Sequence, residues 1–148
     1  MKNIIEYVVI ALLICLVSTS SIFAAQGSIV GSWKTIDDKT NQAKSVVKIY
    51  KKGGKYYGRI TKLYRKKGED PNPRCTKCKD DDPRKGKQIK GMVILKDLVK
   101  KEDKYSGGKI LDPKNGKVYK CELWLEKGKL KVRGYVGIFF RTQTWHRI

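Results

Sequence analysis

Catalytic side chains are what this chain has least of. It holds one histidine, His146, and no Gly-x-Ser-x-Gly, His-Glu-x-x-His or Gly-rich phosphate loop. A His-based triad would have to centre on His146, between Trp145 and Arg147, so the expectation is a protein that is not an enzyme and needs no cofactor. Acids are also scarce: 14 Asp plus Glu stand against 34 Lys plus Arg, for a formal net charge of +20. Long apolar runs are absent except for Val8 to Val17, which is shorter than the roughly 20 residues a spanning helix needs. Of only 4 prolines, three (Pro71, Pro73 and Pro83) fall in one stretch, residues 65–87. Beyond residue 25 no helical period appears.

The apolar run has a meaning of its own. Lys2 precedes it, and Ser18-Thr19-Ser20-Ser21 and Ile22-Phe23-Ala24-Ala25 follow it. A basic start, a short apolar core and small residues at a cut site describe a secretory signal peptide over residues 1–25. Export to the periplasm or the exterior is therefore expected. Cys15 lies inside the apolar core, leaving Cys75, Cys78 and Cys121 in the remaining chain. An oxidising compartment normally pairs cysteines, and an odd number leaves one over.

Residues 28–148 read as a single β-barrel domain. Gly31-Ser32-Trp33-Lys34 opens an extended segment that ends in the turn-rich Asp37 to Asn41. Ser45 to Tyr50 and Lys55 to Tyr64 are rich in Val, Ile and Tyr and flank Gly53-Gly54, a hairpin signature. Residues 65–87 lose all periodicity and form a long loop, the kind that is usually functional or stapled. Gln88 to Leu98 reads as a strand and Val99 to Lys104 as a charged turn. From Tyr105 onward, Asp112-Pro113-Lys114-Asn115-Gly116, Lys127-Gly128 and the Gly134/Gly137 pair separate four more strands. In the second of these, Tyr119, Cys121, Leu123 and Leu125 share one face, the period of two that marks a half-buried strand. The expectation is all-β: about eight antiparallel strands in hairpin order, forming a sandwich or an up-and-down barrel, of which the closed barrel leaves no exposed edge. In a barrel, the last strand, Arg141 to Arg147, is expected to close against the strand of Trp33.

An ordered set of motifs carries a resemblance. They are Gly31-x-Trp33, Lys44 to Ile49, Tyr57-Gly58-Arg59-Ile60 and Cys75-x-x-Cys78. Gly107-Gly108-Lys109-Ile110-x-Asp112-Pro113-x-x-Gly116-Lys117-x-Tyr119, Arg133-Gly134-Tyr135-x-Gly137 and Arg141-Thr142-Gln143-Thr144-Trp145-x-Arg147 complete it. Together they resemble a family of small exported bacterial proteins known as domain of unknown function 2147. Phe140 stands where that family often has Gly. The resemblance implies a calycin-like (lipocalin-type) barrel and an exported location, and implies no activity. Lipocalins pack the indole of a G-x-W motif against a late basic residue to close one end. Trp33 with Arg141 or Arg147 fits those parts, through a cation over an indole face.

Cys75-Thr76-Lys77-Cys78 is the sharpest local motif. A disulfide tying the long loop is expected. Zinc would need a second ligand pair, for which only His146 and Cys121 remain, and thiol exchange would need a strand-to-helix context that Pro73-Arg74 does not provide. Cys121 reads as core. Asp80-Asp81-Asp82 lacks the spaced carboxylates and glycine of a calcium loop and reads as a solvated acidic turn. No metal site is expected.

Two functions remain. The first is a barrel holding a small anionic or amphipathic ligand, with Tyr57, Arg59, Arg133, Tyr135, Arg141 and Gln143 as the candidate contacts. Arginine suits an anionic head group through bidentate bonds. The second is a basic envelope protein whose surface binds anionic polymers or lipid head groups. The bases comprise 27 Lys and 7 Arg spread over every segment, unlike the clustered, Arg-led surfaces that read nucleic acid. No specific nucleic-acid partner is expected.

Overall fold

In the computed structural model, residues 27–148 are described; the expected signal peptide and Cys15 lie outside them. Eight strands follow one another: β1 (Gly31–Ile36), β2 (Ala43–Lys52), β3 (Lys55–Leu63), β4 (Val93–Lys101), β5 (Lys104–Asp112), β6 (Lys117–Glu126), β7 (Lys129–Val136) and β8 (Phe139–Arg147). Each pairs antiparallel with the next, and β8 returns to β1 through Trp33 opposite Arg147 and Lys34 opposite His146. The result is a closed barrel in sequence order. Closure satisfies the backbone groups that an edge strand would expose.

Strand boundaries differ from expectation in one region. Gln88 to Met92 belongs to the long connection, which spans residues 64–92, and β4 starts at Val93. It then runs on through Val99 to Lys101 instead of turning there. Local charge misleads at this point: Val99, Lys100 and Lys101 are all exposed, yet they still pair with Ser106, Tyr105 and Lys104 of β5.

Up-and-down connectivity sorts the connections into two ends. The β2–β3, β4–β5 and β6–β7 turns lie at one end with residues 27–30 and the C-terminus. The other end gathers the β1–β2 and β5–β6 turns, the long β3–β4 connection and the β7–β8 turn. The first end is solid. Trp33, Val47, Ile49, Leu98, Leu123 and Leu130 are fully or almost fully buried there, with Tyr56 and Tyr105 packed edge to face at 4.8 Å. Ile29, itself fully buried, plugs the base, and its carbonyl accepts the Trp33 indole N–H at 2.8 Å. Above Trp33 the filling stops.

Candidate functional site: the open end of the barrel

The inward face of each strand decides what lines the hollow half. On β3 the inward set is Tyr56, Gly58 and Ile60; on β7 it is Leu130, Val132 and Gly134. On β8 the register sets Trp145 opposite Leu130, Gln143 opposite Val132 and Arg141 opposite Gly134. The β7 and β8 residues of this register share the interior face. Ile60, Val132, Gly134, Arg141, Gln143 and Trp145 help enclose a cavity of about 980 Å³ at the open end, whose wall also includes Thr35, Ser45, Ile94, Leu111 and Tyr119. The volume falls at the upper end of the range for small-molecule sites. Buried Ile60, Ile94, Leu111, Val132 and Trp145 form its apolar part, charged and polar side chains of the turns form the mouth, and the Thr35 and Ser45 hydroxyls satisfy each other at 2.8 Å. Gly134 leaves the space open: a Cβ there would reach only the Tyr119 side chain, at 3.7 Å.

Polar groups converge at the rim. Asp38, from the β1–β2 turn, accepts hydrogen bonds from the Arg141 guanidinium and, at 3.3 Å, from the Gln143 amide. Gln143 Oε1 in turn accepts the Trp145 indole N–H at 3.2 Å. This relay runs from solvent to the cavity wall along one side of β8. Arg141 is mostly exposed, so its charge is available to an incoming anion, and Asp38 holds it in place meanwhile. Asp38 and Trp145 were not among the residues expected from sequence; Trp145 shares parity with Arg141 and Gln143, a signal that the alternation did carry.

Four other candidates lie outside the cavity. Tyr57 and Arg59 alternate with Tyr56, Gly58 and Ile60 and so face outward; Tyr57 donates to Asp97 at 3.1 Å. Burial and that carboxylate push its phenol above the usual tyrosine range. Arg133 and Tyr135 likewise face outward from β7. The Arg133 guanidinium sits 4.3 Å from the Phe140 ring centroid and 4.9 Å from that of Trp124, and Tyr135 donates to Glu122 at 3.1 Å. A shift of one residue in parity reverses every side chain of a strand, and each of these four has the wrong parity.

Barrel closure involves Arg147, not Arg141. The Arg147 guanidinium lies 4.2 Å from the Trp33 ring centroid and donates to the carbonyls of Val30 and Ser28. Arg141 stands six residues away, roughly 20 Å along an extended strand, at the opposite end. Gly31 has φ of 135°, and a Cβ there would meet Arg147 Nη1 at 2.8 Å. The glycine of the Gly-x-Trp motif thus admits the arginine.

The long connection walls one side of the open end. Cys75 and Cys78 form a disulfide and are buried. Their segment rests on the β5–β6 turn, where a Cβ on Gly116 would collide with the Lys77 carbonyl. Asp82 is not the solvated acid expected: it forms a largely buried ion pair with Arg84 at 2.6 Å. Hydrogen bonds from Arg84 hold its carboxyl down at about 2. Asp80 pairs with Lys85 at 3.0 Å, so cations within the same loop occupy two of the three carboxylates. Among the described residues no cluster of His, Cys, Asp and Glu could hold a metal ion. His146 alternates with Trp145 and lies on the outer face. Cys121 is buried in the wall, and desolvation pushes its thiol up to about 12, which leaves it unreactive at neutral pH.

A closed, eight-stranded antiparallel barrel with a plugged base and an open mouth is a lipocalin-like fold. The chain belongs to the bacterial family described as "Uncharacterized protein conserved in bacteria (DUF2147)", which matches residues 31–147. Among solved structures it is similar to the one described as "Protein HP1028 from the human pathogen Helicobacter pylori belongs to the lipocalin family". The two share 23% identity and a TM-score of 0.68, covering 82% of this chain and 83% of that one. At that identity the likeness concerns the fold alone. No curated protein matches the chain.

Proposed function

We propose that this barrel is an exported, non-catalytic carrier that holds one small amphipathic ligand in its open half, with an anionic head group at Arg141 and Gln143. A single observation carries this reading: a cavity of about 980 Å³ with an apolar part lined by Ile60, Ile94, Leu111, Val132 and Trp145, whose rim places the arginine and the amide side by side. Apolar burial in such a pocket supplies affinity at roughly 25 cal/mol per Å² before binding costs. The guanidinium gives orientation, because a carboxylate or phosphate can replace Asp38 on the same donors.

Titration with an anionic fluorescent amphiphile such as anilinonaphthalene sulfonate tests the cavity. Gly134→Leu adds a side chain to the hollow without straining the backbone and is expected to weaken binding roughly tenfold or more. Arg141→Ala is expected to weaken it roughly threefold to tenfold, while Asp38→Asn, by freeing the guanidinium, strengthens it by a similar factor. Unchanged affinity in Gly134→Leu would sink the reading.

A further inference from the structure

The β7–β8 turn is unlike the rest of the surface. Val136, Ile138, Phe139 and Phe140 are 59%, 89%, 73% and 59% exposed, and no charged side chain interrupts them between Tyr135 and Arg141. In a chain with 34 basic residues, four large apolar side chains at one tight turn are a concentrated exception. Such exposed apolar surface marks an interaction site.

Two groups of cations surround it. Across the mouth stand Lys39, Lys44, Arg65, Lys66 and Lys114, which share the cavity rim with Phe139 and Phe140. On the outer wall, Lys79, Lys96, Lys109 and Lys117 line a groove that Val136 borders. None of these four lysines belongs to an ion pair among the described residues. An apolar, aromatic tip inside a collar of lysines suits one kind of partner: a bilayer with anionic head groups. The apolar residues enter the acyl boundary and the lysines meet the phosphates.

A second copy of the chain fits poorly. The tip projects as one turn, far below the roughly 800 Å² per partner of a stable interface, and two bodies of charge +20 repel. The barrel does not span the bilayer, because its outer wall carries exposed Lys48, Lys62, Lys109 and Lys120 where a spanning barrel presents an apolar band.

We infer that Val136–Phe140 is a membrane-docking tip that seats the open end of the barrel on anionic lipid. This reading concerns a surface and does not depend on what the cavity holds. Ile138 projects away from the cavity wall, so its substitution leaves the cavity intact.

Co-sedimentation with vesicles of phosphatidylglycerol and phosphatidylcholine, against phosphatidylcholine alone, tests the inference. The wild-type chain is expected to bind the anionic vesicles, and to weaken steeply from about 25 mM to about 200 mM salt. Ile138→Asp, at an exposed turn, is expected to lose roughly tenfold or more of that binding, while retaining its thermal midpoint and its affinity for the fluorescent amphiphile. Equal vesicle binding by wild type and Ile138→Asp would overturn the inference in favour of charge alone. Failure to bind anionic vesicles, with retained binding to polyphosphate, would overturn it in favour of an anionic polymer. Gly134→Leu separates the two readings: it is expected to lose the amphiphile and keep the vesicles.

Discussion

Trp33 and Arg147 show how a pair separated by most of the chain fixes one end of the barrel. The arginine stacks on a fully buried indole and at the same time donates to two carbonyls of the segment carrying Ile29. Removing it deletes the cation–π contact and leaves carbonyls near the base without a donor. Arg147→Ala is expected to cost about 1–2 kcal/mol, measured by urea unfolding, with little change in affinity for an amphiphile bound at the far end. A loss of ligand affinity equal to that of Arg141→Ala would refute this division of labour. Of the two arginines matching the closing role in sequence, only the register with β1 distinguishes them: Arg147 lies opposite Trp33, and Arg141 meets Asp38.

At the scale of elements, the long connection and the β5–β6 turn act as one unit. Gly116 combines φ of 73° with an approach to Lys77 that leaves no room for a Cβ, and the Asp112 carbonyl accepts its N–H at 2.8 Å. The disulfide closes too short a loop to contribute more than roughly 2 kcal/mol through chain entropy. Its effect is to keep Cys75 and Cys78 packed beneath the loop. Gly116→Ala is expected to cost roughly 2–3 kcal/mol and to raise amide exchange across residues 73–89 ahead of the barrel strands. Exchange confined to residues 112–117 would show that the two elements are not coupled. The turn chemistry of Asp112 to Gly116 was legible in sequence; its contact with Lys77 was not, because the residues concerned are far apart in the chain.

For the whole molecule, the solid base and hollow mouth give the barrel a polarity, and the proposed functions use it. Ligand enters where Arg141, Gln143 and Asp38 meet, and the apolar tip stands at the same end. The proposed export would carry the Cys75–Cys78 disulfide into an oxidising compartment, where such bonds persist. N-terminal sequencing of protein recovered from the periplasm or medium is expected to begin after Ala24 or Ala25. An intact Lys2 in that fraction would refute cleavage. Such a cut removes one base, Lys2, and one acid, Glu6, so the formal charge stays at +20.

By itself the sequence determined an all-β chain of hairpin-connected strands, because alternation, hairpin glycines and strand spacing are local properties; they left a sandwich and a barrel open, and the family resemblance pointed to the barrel. It also marked Cys75 with Cys78 and the Gly31-x-Trp33 motif. Tertiary structure alone decided which face of β3, β7 and β8 points inward. Arg133 and Arg141 both sit on alternating strands rich in basic and aromatic residues, and nothing local distinguishes them. Only the pairing of Gly134 with Arg141 and Val132 with Gln143, around a wall already filled by Trp145, turns Arg141 to the cavity and Arg133 to solvent. The same closure leaves Val136 to Phe140 largely exposed, and so makes an apolar turn into a surface.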